Sequence, residues 1–444
     1  MTTLDQRNDS PTRLLTDDEL GADLIPRARY LSRDFLQLEM EKLWPRVWQI
    51  ACLEQEIPNP GDYVEYQIGT ESIIVVRQPD GSIRGHYNSC LHRGTRLVSG
   101  CGNAPEFRCP YHAWRWAIDG TMLEVVDRHD FRADIVRDAD LQLPGPRLER
   151  WAGFVFVNMD TAAPPLLDYL APVPDRLAKW EIDRMRLKVW QRTRVAANWK
   201  TVVDAFNESY HIQGAHSQIL PYLDDTAMQY EQFLSGHSWM GDKTGATVGK
   251  PSARLAGMGI DEGDAIIAYA ADLVANKVMA PEGLEAAQRM VDEGVPEGET
   301  VLTMFAKMKR DAFATRGIDF SHLTDADLVA NDDFNIFPNA VGPVLAGSAY
   351  IFRMLPDGDD PDSSLLDVWR FERFPAGEEP DVSMEWVDDP ISYKEWGSIQ
   401  EQDMWNLPLI QAGMHSRADP YIRLGRQEGN LRNFHRTLDS YLSA

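Results

Sequence analysis

Two short pairs of metal-ligating side chains stand close together in the first third of this 444-residue chain. The stretch SCLHRGTRLVSGCGNAPEFRCPYHAW contains Cys90 and His92, followed by Cys109 and His112. Thiolate and imidazole ligands together suit zinc or an iron–sulfur centre. If each pair lies on a hairpin tip, the two tips can converge on one metal centre.

The mixed composition of each pair narrows the choice of metal. Zinc fingers usually pair Cys with Cys and His with His, whereas each loop here supplies one of each. A Rieske [2Fe–2S] centre places two Cys on one iron and two His on the other, which two such loops can deliver. The sequence therefore predicts a Rieske centre on Cys90, His92, Cys109 and His112, with a structural zinc site as the rival.

A second group of possible ligands lies in NESYHIQGAH. Asp204, Glu208 and His211 are spaced by four and three residues, so a continuous helix would place them on one face. His216 follows His211 by five residues and joins that side only if the helix ends at Gly214. Two histidines plus a carboxylate form the facial triad of mononuclear Fe(II) oxygenases. The alternative is two unrelated histidines in a helix.

The elements around the first group are short strands. Residues 48–158 alternate apolar and polar positions between turn signals such as PDG and IDG, which predicts a small all-β module of hairpins. Residues 1–47 are a polar tail and a helix that begins after Ser32. The Pro-rich segment TAAPPLLDYLAPVPD then indicates a linker.

Residues 159–444 combine strand and helix patterns, so the fold class is α+β. Strands are expected in RLKVWQRTRVAAN, AYIFRML and LLDVWRFERF, and a final helical part from Tyr393. Residues 235–330 carry no motif and are interpreted as a variable, mostly helical excursion over a pocket. Candidates to line that pocket are Phe206, Tyr210, Met240 and Phe305.

Charge and composition exclude several classes of partner. The net charge of −25 argues against nucleic acid and anionic membranes. No apolar run is long enough to span a bilayer, and the polar start of the chain lacks the apolar core of a secretory signal. With only four cysteines, three of them clustered, a disulfide scaffold is not expected, and the cytoplasm is the expected location.

The motifs CLHRG and CPYHAW, with the lead-in RARYLSRDFLQLEMEKLWPRVWQIA, resemble the large (α) subunit of Rieske-type non-heme iron oxygenases. The resemblance runs from about Arg27 to the C-terminus. It implies a Rieske domain followed by a START-like helix-grip catalytic domain. One departure is Ala113, where the family most often has Gly, and a methyl group there is expected to be tolerated.

The same resemblance implies roles for three acidic residues. In EQDMWNLPLIQ, Asp403 precedes Gln411 by eight positions, as in the family, so Asp403 is expected to complete the iron site with His211 and His216. Glu208 is expected to be the bridge that carries electrons between subunits, with Asp204 as possible support. Asp332 and Asp333 are weaker rivals for the carboxylate, expected rather to cap or solvate a turn.

The implied activity is that of a terminal oxygenase. Electrons from NAD(P)H would arrive through a separate reductase or ferredoxin, and O2 would be the co-substrate for hydroxylation, dihydroxylation or oxidative demethylation of a small, aromatic or related, substrate. The family's head-to-tail trimer is expected, and participation of a β subunit is left open. The alternative function is a Rieske electron-transfer protein whose second domain binds a hydrophobic ligand without catalysis.

Overall fold

The computed structural model describes residues 10–242, 247–276, 281–294, 297–298 and 300–443. The chain divides into two compact units. The smaller unit contains residues 37–169, and the larger unit contains residues 10–36 and the described residues between 170 and 443.

Residues 10–170 form mainly short strands. In chain order the elements are β1 Leu24–Pro26, α1 Ala28–Leu31, α2 Arg33–Lys42, β2 Gln49–Leu53, β3 Asp62–Ile68, β4 Glu71–Arg77, β5 Ile83–Tyr87, β6 Cys101–Asn103, β7 Glu106–Arg108, β8 Arg115–Ala117, β9 Met122–Glu124, β10 Arg147–Trp151, β11 Phe154–Asn158 and α3 Leu166–Leu170. The helix predicted after Ser32 is α2, and the Ser32 hydroxyl accepts from the Phe35 N–H at 3.3 Å.

The smaller unit contains three antiparallel sheets, with strand orders β5-β4-β3-β6, β7-β8-β9 and β10-β11-β2. In β3 the alternating residues Val64, Tyr66 and Ile68 are buried, as the sequence pattern predicts. The PDG and IDG segments do turn β4 into β5 and β8 into β9. Aromatic side chains, including Phe107, Trp114 and Trp116, form the core beneath the loops that carry Cys90 and Cys109.

The larger unit is built on one long sheet. Its remaining elements are α4 Val173–Leu177, β12 Arg186–Val195, α5 Trp199–Phe206, α6 Ile212–Ala215, β13 Gln229–Gln232, β14 Ser238–Gly241, α7 Glu262–Ala275, α8 Pro281–Glu293, α9 Val301–Ala314, α10 Asp325–Val329, β15 Asn331–Ile336, β16 Ala340–Leu345, β17 Ser348–Pro356, β18 Ser364–Glu372, β19 Glu385–Val387, α11 Ser398–Met414, β20 Tyr421–Arg423 and α12 Gly429–Leu442. The order of the eight strands is β13-β14-β15-β16-β17-β18-β12-β19.

Neighbouring strands of this sheet are antiparallel except β12 and β19, which are parallel. Helix α5 packs against β16 and β17 and also contacts α11. The expected α+β class is therefore confirmed for the larger unit. The 235–330 region contributes α7 to α10 but also strand β14, so its start belongs to the sheet; its residues 243–246, 277–280, 295–296 and 299 lie outside the described part of the chain.

Across the described residues, none of the helices combines the length and apolarity that crossing a lipid bilayer requires.

Candidate active site

The first Cys/His pair lies on the connection between β5 and β6, which occupy opposite edges of their sheet. The expectation that this pair lies on a hairpin tip is therefore wrong. The connection is held by the buried Asn88, whose side-chain oxygen accepts from the N–H groups of Leu97 and Val98 at 2.8 and 3.1 Å. The second pair does lie on a hairpin, between β7 and β8.

Each loop closes tightly around its cysteine. The Cys90 N–H donates to the Thr95 carbonyl at 2.8 Å, and the Cys109 N–H donates to the Trp114 carbonyl at 2.9 Å. The turn at Ala113 has φ of +59°, the left-handed region in which a side chain is strained. That backbone conformation favours glycine, so alanine carries a conformational cost here that the sequence alone did not reveal.

The four predicted cluster ligands meet as two pairs. The thiols of Cys90 and Cys109 lie close enough to influence each other's pKa, and the ring centroids of His92 and His112 are 4.6 Å apart. His92 also stacks on Trp114 with centroids 4.9 Å apart, and its Nδ1 is buried without a hydrogen-bond partner among the described residues. Paired sulfurs and paired imidazoles, one with an unused ring nitrogen, fit the donor set of a Rieske cluster.

The surroundings of the two sulfurs act in opposite directions on their ionisation, and only those of Cys109 favour the thiolate. Burial raises the pKa of Cys90, although the backbone N–H groups of His92 and Arg93 oppose this. Burial acts in the same direction on Cys109, but there the N–H groups of His112 and Tyr111 outweigh it and lower the pKa of the thiol. Backbone N–H groups aimed at sulfur also tune the potential of iron–sulfur clusters.

The second group of ligands comes from a break in the chain after α5. That helix ends at Phe206, with Asn207 as its C-cap, and the short helix α6 begins only after His211. Glu208 and His211 therefore do not continue the face of Asp204, and Gly214 lies inside α6 rather than ending a helix. His216 caps α6 with non-helical φ and ψ of −123° and 41°.

This arrangement brings His211, His216 and Asp403 together. The Nε2 of His216 lies 3.0 Å from Asp403 Oδ1, and the Nε2 of His211 lies 4.0 Å from the same oxygen. One donor atom from each residue lies within 4.8 Å of those of the other two. Ligand atoms at right angles around a metal, each about 2.1 Å from it, are about 3 Å apart. The His216–Asp403 separation matches this value, whereas His211 is farther away and would have to move inwards to share one face of an octahedral metal.

A hydrogen bond at the far side of each ring sets its tautomer. Nδ1 of His211 donates to Glu208 Oε1 at 2.6 Å, and Nδ1 of His216 donates to Gln402 Oε1 at 2.7 Å. Both Nε2 lone pairs are then free to face Asp403, as in metal sites whose histidines are oriented by an outer partner. Burial lowers the pKa of His211, but Glu208 and Asp403 outweigh it and raise that pKa overall. Gln402 was not predicted from the sequence, where it has no signal other than its place beside Asp403.

Asp204 lies outside this set of contacts. Its Oδ2 accepts from the Tyr30 hydroxyl at 2.6 Å, and that hydroxyl also lies 2.7 Å from His435 Nε2. Burial raises the pKa of Asp204 to about 7, while Tyr30 partly opposes the rise. The carboxylate of Asp204 thus bonds towards the N-terminal segment and α12, whereas Glu208 bonds to His211.

Gln411, the partner of Asp403 in the sequence motif, supports the site from a distance. Its Oε1 accepts from the Asn198 N–H at 3.1 Å and from the Thr201 hydroxyl at 2.9 Å. Asn198 is the N-cap of α5, so Gln411 fastens α11 to the start of α5. The rival Asp332 accepts from the indole N–H groups of Trp180 and Trp239, both at 2.7 Å.

A cavity of about 320 Å³ adjoins the three proposed ligands. Phe206 and Met240 line it as expected, whereas Phe305 only approaches it, with its ring 5.3 Å from that of Tyr269. Most of the other lining residues are apolar or aromatic, and they include Ile212, Ile219, Tyr222, Leu223, Met228, Tyr269, Leu273, Pro343, Leu345, Tyr350, Phe352, Trp396 and Ile399.

A second, wider cavity of about 900 Å³ opens beside Glu208, His211 and Asp403. Tyr210 lines this cavity, together with Trp405 and Ile410, and all three side chains are exposed. Glu208 thus lies between the substrate-sized cavity and an exposed apolar surface of the same unit.

Comparisons with known proteins assign both parts of the chain. Residues 175–444 match the model of the ring hydroxylating alpha subunit (catalytic domain), and residues 47–132 match the Rieske [2Fe-2S] domain.

Three curated relatives illustrate the range of enzymes with similar sequence. The glycine betaine monooxygenase oxygenase subunit of Chromohalobacter salexigens is 34% identical over 213 residues, 46% of each chain. The carnitine monooxygenase oxygenase subunit of Escherichia coli K12 is 36% identical over 198 residues, 43% of this chain and 52% of the relative. The large oxygenase component of the 2,4-dinitrotoluene dioxygenase system of Burkholderia sp. is 34% identical over 197 residues, 43% and 44%. The chain spans about half the length of the curated relatives it matches.

Two solved structures share the fold over nearly the whole chain. A quaternary ammonium Rieske monooxygenase, described with insights into carnitine oxidation and inter-subunit electron transfer, gives a TM-score of 0.65 at 19% identity, covering 97% of this chain and 99% of the other. Naphthalene 1,2-dioxygenase from Rhodococcus sp. bound to indole gives 0.63 at 22% identity, covering 94% of both. The expected succession of a Rieske domain and a catalytic domain is confirmed.

Proposed function

The chain belongs to the family of ring hydroxylating alpha subunits and carries a Rieske [2Fe–2S] domain before its catalytic domain, and from this premise we propose that it is the terminal component of an O2-dependent oxygenase. It would receive electrons that originate in NAD(P)H and would hydroxylate or oxidatively demethylate a small organic substrate, with dihydroxylation as the second outcome. The cytoplasm is the proposed location, in keeping with four cysteines that form no disulfide.

The observation that carries the proposal is the convergence of His211, His216 and Asp403 at the wall of a largely apolar cavity. Two imidazoles and one carboxylate on one face leave positions for O2 and substrate on the other. Iron held there would activate O2, and the [2Fe–2S] cluster on Cys90, His92, Cys109 and His112 would supply single electrons. A protein that only binds a ligand would not need this donor set.

The chain's own residues prepare the site. Glu208 and Gln402 keep a proton on Nδ1 of each histidine, so that both Nε2 atoms remain ligands. The apolar side chains of the cavity give the reacting face a weakly hydrated lining. Glu208 Oε2 also accepts from the His211 N–H at 3.1 Å, which fixes the turn that enters α6.

Glu208 is also the proposed electron bridge between subunits. Its support is the position beside His211 and beside the wider cavity with its exposed apolar rim. A second copy of the chain that covered this rim with its Rieske unit would bring its cluster towards Glu208, and the repetition of that contact would close a head-to-tail trimer. A separate ferredoxin or reductase is the proposed electron donor. The proposal does not depend on whether a β subunit joins the assembly.

The arginines near the cluster are partly engaged within their own unit. Arg96 pairs with Glu65 at 3.1 Å, and Arg115 pairs with Glu106 and Glu124 at 2.7 and 2.8 Å. Arg93 is exposed and lies over the Tyr111 ring, 5.4 Å from its centroid, beside His112. Its exposure and its position beside His112 make Arg93 the arginine that we propose for contact with an acidic electron donor.

Metal analysis with paired variants tests the assignment. We expect His211→Ala and Asp403→Ala to lose the mononuclear iron and turnover while the visible spectrum of the cluster persists. Replacement of the exposed His322 by Ala is the matched control and should change neither. Turnover is followed by mass spectrometry of products with a surrogate reductase. Normal turnover in His211→Ala would contradict the proposal, and so would an intact wild-type cluster spectrum in Cys109→Ala.

A further inference from the structure

Two carboxylates that the proposed iron site does not use line the 320 Å³ cavity. Asp272 comes from α7, and Asp333 comes from β15 on the sheet. Asp332, the neighbour of Asp333, bonds to Trp180 and Trp239, whereas Asn331 and Asp333, two residues apart, line the cavity together. Alternation along β15 therefore aims Asp333 at the cavity, a role that differs from the predicted solvation of a turn.

Neither carboxylate forms an ion pair with a Lys or Arg among the described residues. Asp272 Oδ2 accepts from the Tyr222 hydroxyl at 2.9 Å, while its Oδ1 is buried without a hydrogen-bond partner. Asp333 accepts from the Asn331 amide at 2.6 Å. Burial and the neighbouring Asp332 raise the pKa of Asp333 to about 7, and burial also raises the pKa of Asp272. Without a Lys or Arg partner, burial thus favours the protonated form of both acids, and a bound cation would favour their ionised form.

Besides the two carboxylates, the cavity offers a cation the faces of aromatic rings. Tyr222 and Tyr269 lie with ring centroids 5.0 Å apart, and Phe206 stacks on Phe352 at 4.3 Å. Aromatic faces attract ammonium groups, most strongly where water is excluded. Within the part of the chain that the structure describes, no Lys or Arg lines this cavity. Arg370 is not among the lining residues but contacts two of them: its guanidinium lies 5.4 Å from the Tyr350 centroid and donates to the Trp396 carbonyl at 2.6 Å.

These charges discriminate between classes of substrate. A neutral aromatic molecule would fill the volume but would leave Asp272 and Asp333 without a countercharge. An anion would oppose ionisation of both carboxylates and would find no Lys or Arg among the described residues that line the cavity. A cation would compensate the carboxylates and contact the rings at the same time.

We propose that Asp272 and Asp333 are specificity-determining residues that recognise a positively charged nitrogen, so that this oxygenase acts on a cationic amine. The inference rests on the proposed function, because it assigns the substrate class of the same cavity. His211, His216 and Asp403 line the same space, so a cation held by the two carboxylates lies beside the proposed iron. Glycine betaine and carnitine, for which two of the relatives are named, carry a carboxylate as well as a cationic nitrogen, whereas the substrate proposed here needs only the cationic nitrogen.

Binding to the iron-loaded protein tests the proposal directly. The probes are choline, its uncharged isostere 3,3-dimethylbutan-1-ol, and indole as a neutral aromatic molecule, each measured by calorimetry. Since choline and the isostere have the same shape, the ratio of their dissociation constants isolates the charge. We expect wild-type protein to prefer choline at least tenfold, and Asp272→Asn or Asp333→Asn to reduce that preference about tenfold. Glu282→Gln, which removes an exposed charge on α8 outside the cavity, is the matched control and should preserve the ratio.

The outcomes separate this inference from the proposed function. Wild-type protein that binds the isostere or indole as tightly as choline, or binds no choline, overturns the inference, and this comparison needs no variant to fold. Unchanged preference in both Asn variants overturns the assignment of the two residues. Iron content measured on the same samples tests the proposed function separately, because absence of iron at His211 would refute that function while the choline comparison remains decisive for the charge of the cavity.

Discussion

Replacement of Gln402 by Leu tests how the protein keeps His216 ready for a metal. The side-chain oxygen of Gln402 accepts from His216 Nδ1 at 2.7 Å, and His216 is only 2% exposed. Leu removes the acceptor and keeps a similar volume. The imidazole must then either leave a buried N–H without a partner or move its proton to Nε2, where it would block the metal.

The contacts of Gln402 set the expected size of the effect. A buried donor that loses its partner costs about 1–3 kcal/mol, which is roughly 5- to 150-fold in an equilibrium constant. Gln218 also donates to Gln402 Oε1, at 2.8 Å, and lies close enough to replace part of the lost bond. We therefore expect iron affinity to fall about tenfold, at the lower end of that range.

The assay is a competition for iron against a chelator of known affinity, at fixed pH, with the cluster spectrum as an internal standard for folded protein. Gln402→Glu should bind iron more tightly than wild type, because an anionic acceptor makes the imidazole a better donor. Gln213→Leu is the matched control, since the amide of Gln213 donates to the Tyr210 carbonyl and not to a histidine. Wild-type affinity in Gln402→Leu, or weaker binding in Gln402→Glu, would refute the reasoning.

Three further outcomes are expected. Ala113→Gly should raise the free energy of unfolding of the Rieske unit by about 1 kcal/mol in a denaturant titration, because φ of +59° suits glycine. Asp367→Asn should destabilise the protein by about 3–5 kcal/mol, because it leaves Arg353 at 2.7 Å as an uncompensated buried charge. Burial opposes ionisation of Asp367, but Arg353 and Arg192 outweigh it and hold the pKa of Asp367 at about 2. The contribution of the Asp367 carboxylate to the stability of the fold should therefore be complete above pH 4 and lost as pH falls towards 2, measured by thermal unfolding at a series of pH values. Tyr30→Phe should cost about 1–3 kcal/mol by removing the donor to the buried Asp204, measured by thermal unfolding.

The sequence predicted the residues that can ligate metals better than it predicted the path of the chain between them. Cys and His at short spacing on polar loops leave few alternatives, so Cys90, His92, Cys109 and His112 could be predicted as ligands from residue type and spacing, and the structure places them as two pairs. The connection between β5 and β6 could not be predicted, because strand order depends on pairing between residues far apart in sequence. The left-handed turn at Ala113 was likewise hidden by a residue type that rarely adopts it.

The region after α5 shows the same limit. Helical spacing suggested that Asp204 shares a face with Glu208, but the helix ends at Phe206 and Asp204 bonds to Tyr30, 174 residues earlier in the chain. Gln402 and the cavity carboxylates had no distinguishing pattern, because their roles depend on which groups the fold places opposite them. Local periodicity predicts elements, whereas partners come from packing.

The position of the three proposed iron ligands has a consequence for folding. His216 and Asp403 lie on segments separated by about 190 residues, most of the eight-stranded sheet among them. A metal bound to both acts as a cross-link that closes this long loop, and closure of a loop of that length is worth roughly 5 kcal/mol in chain entropy. Iron would therefore also have a structural role, because its loss would weaken the attachment of α11 to α6. Binding of iron would be coupled to the unfolding equilibrium of the whole catalytic unit.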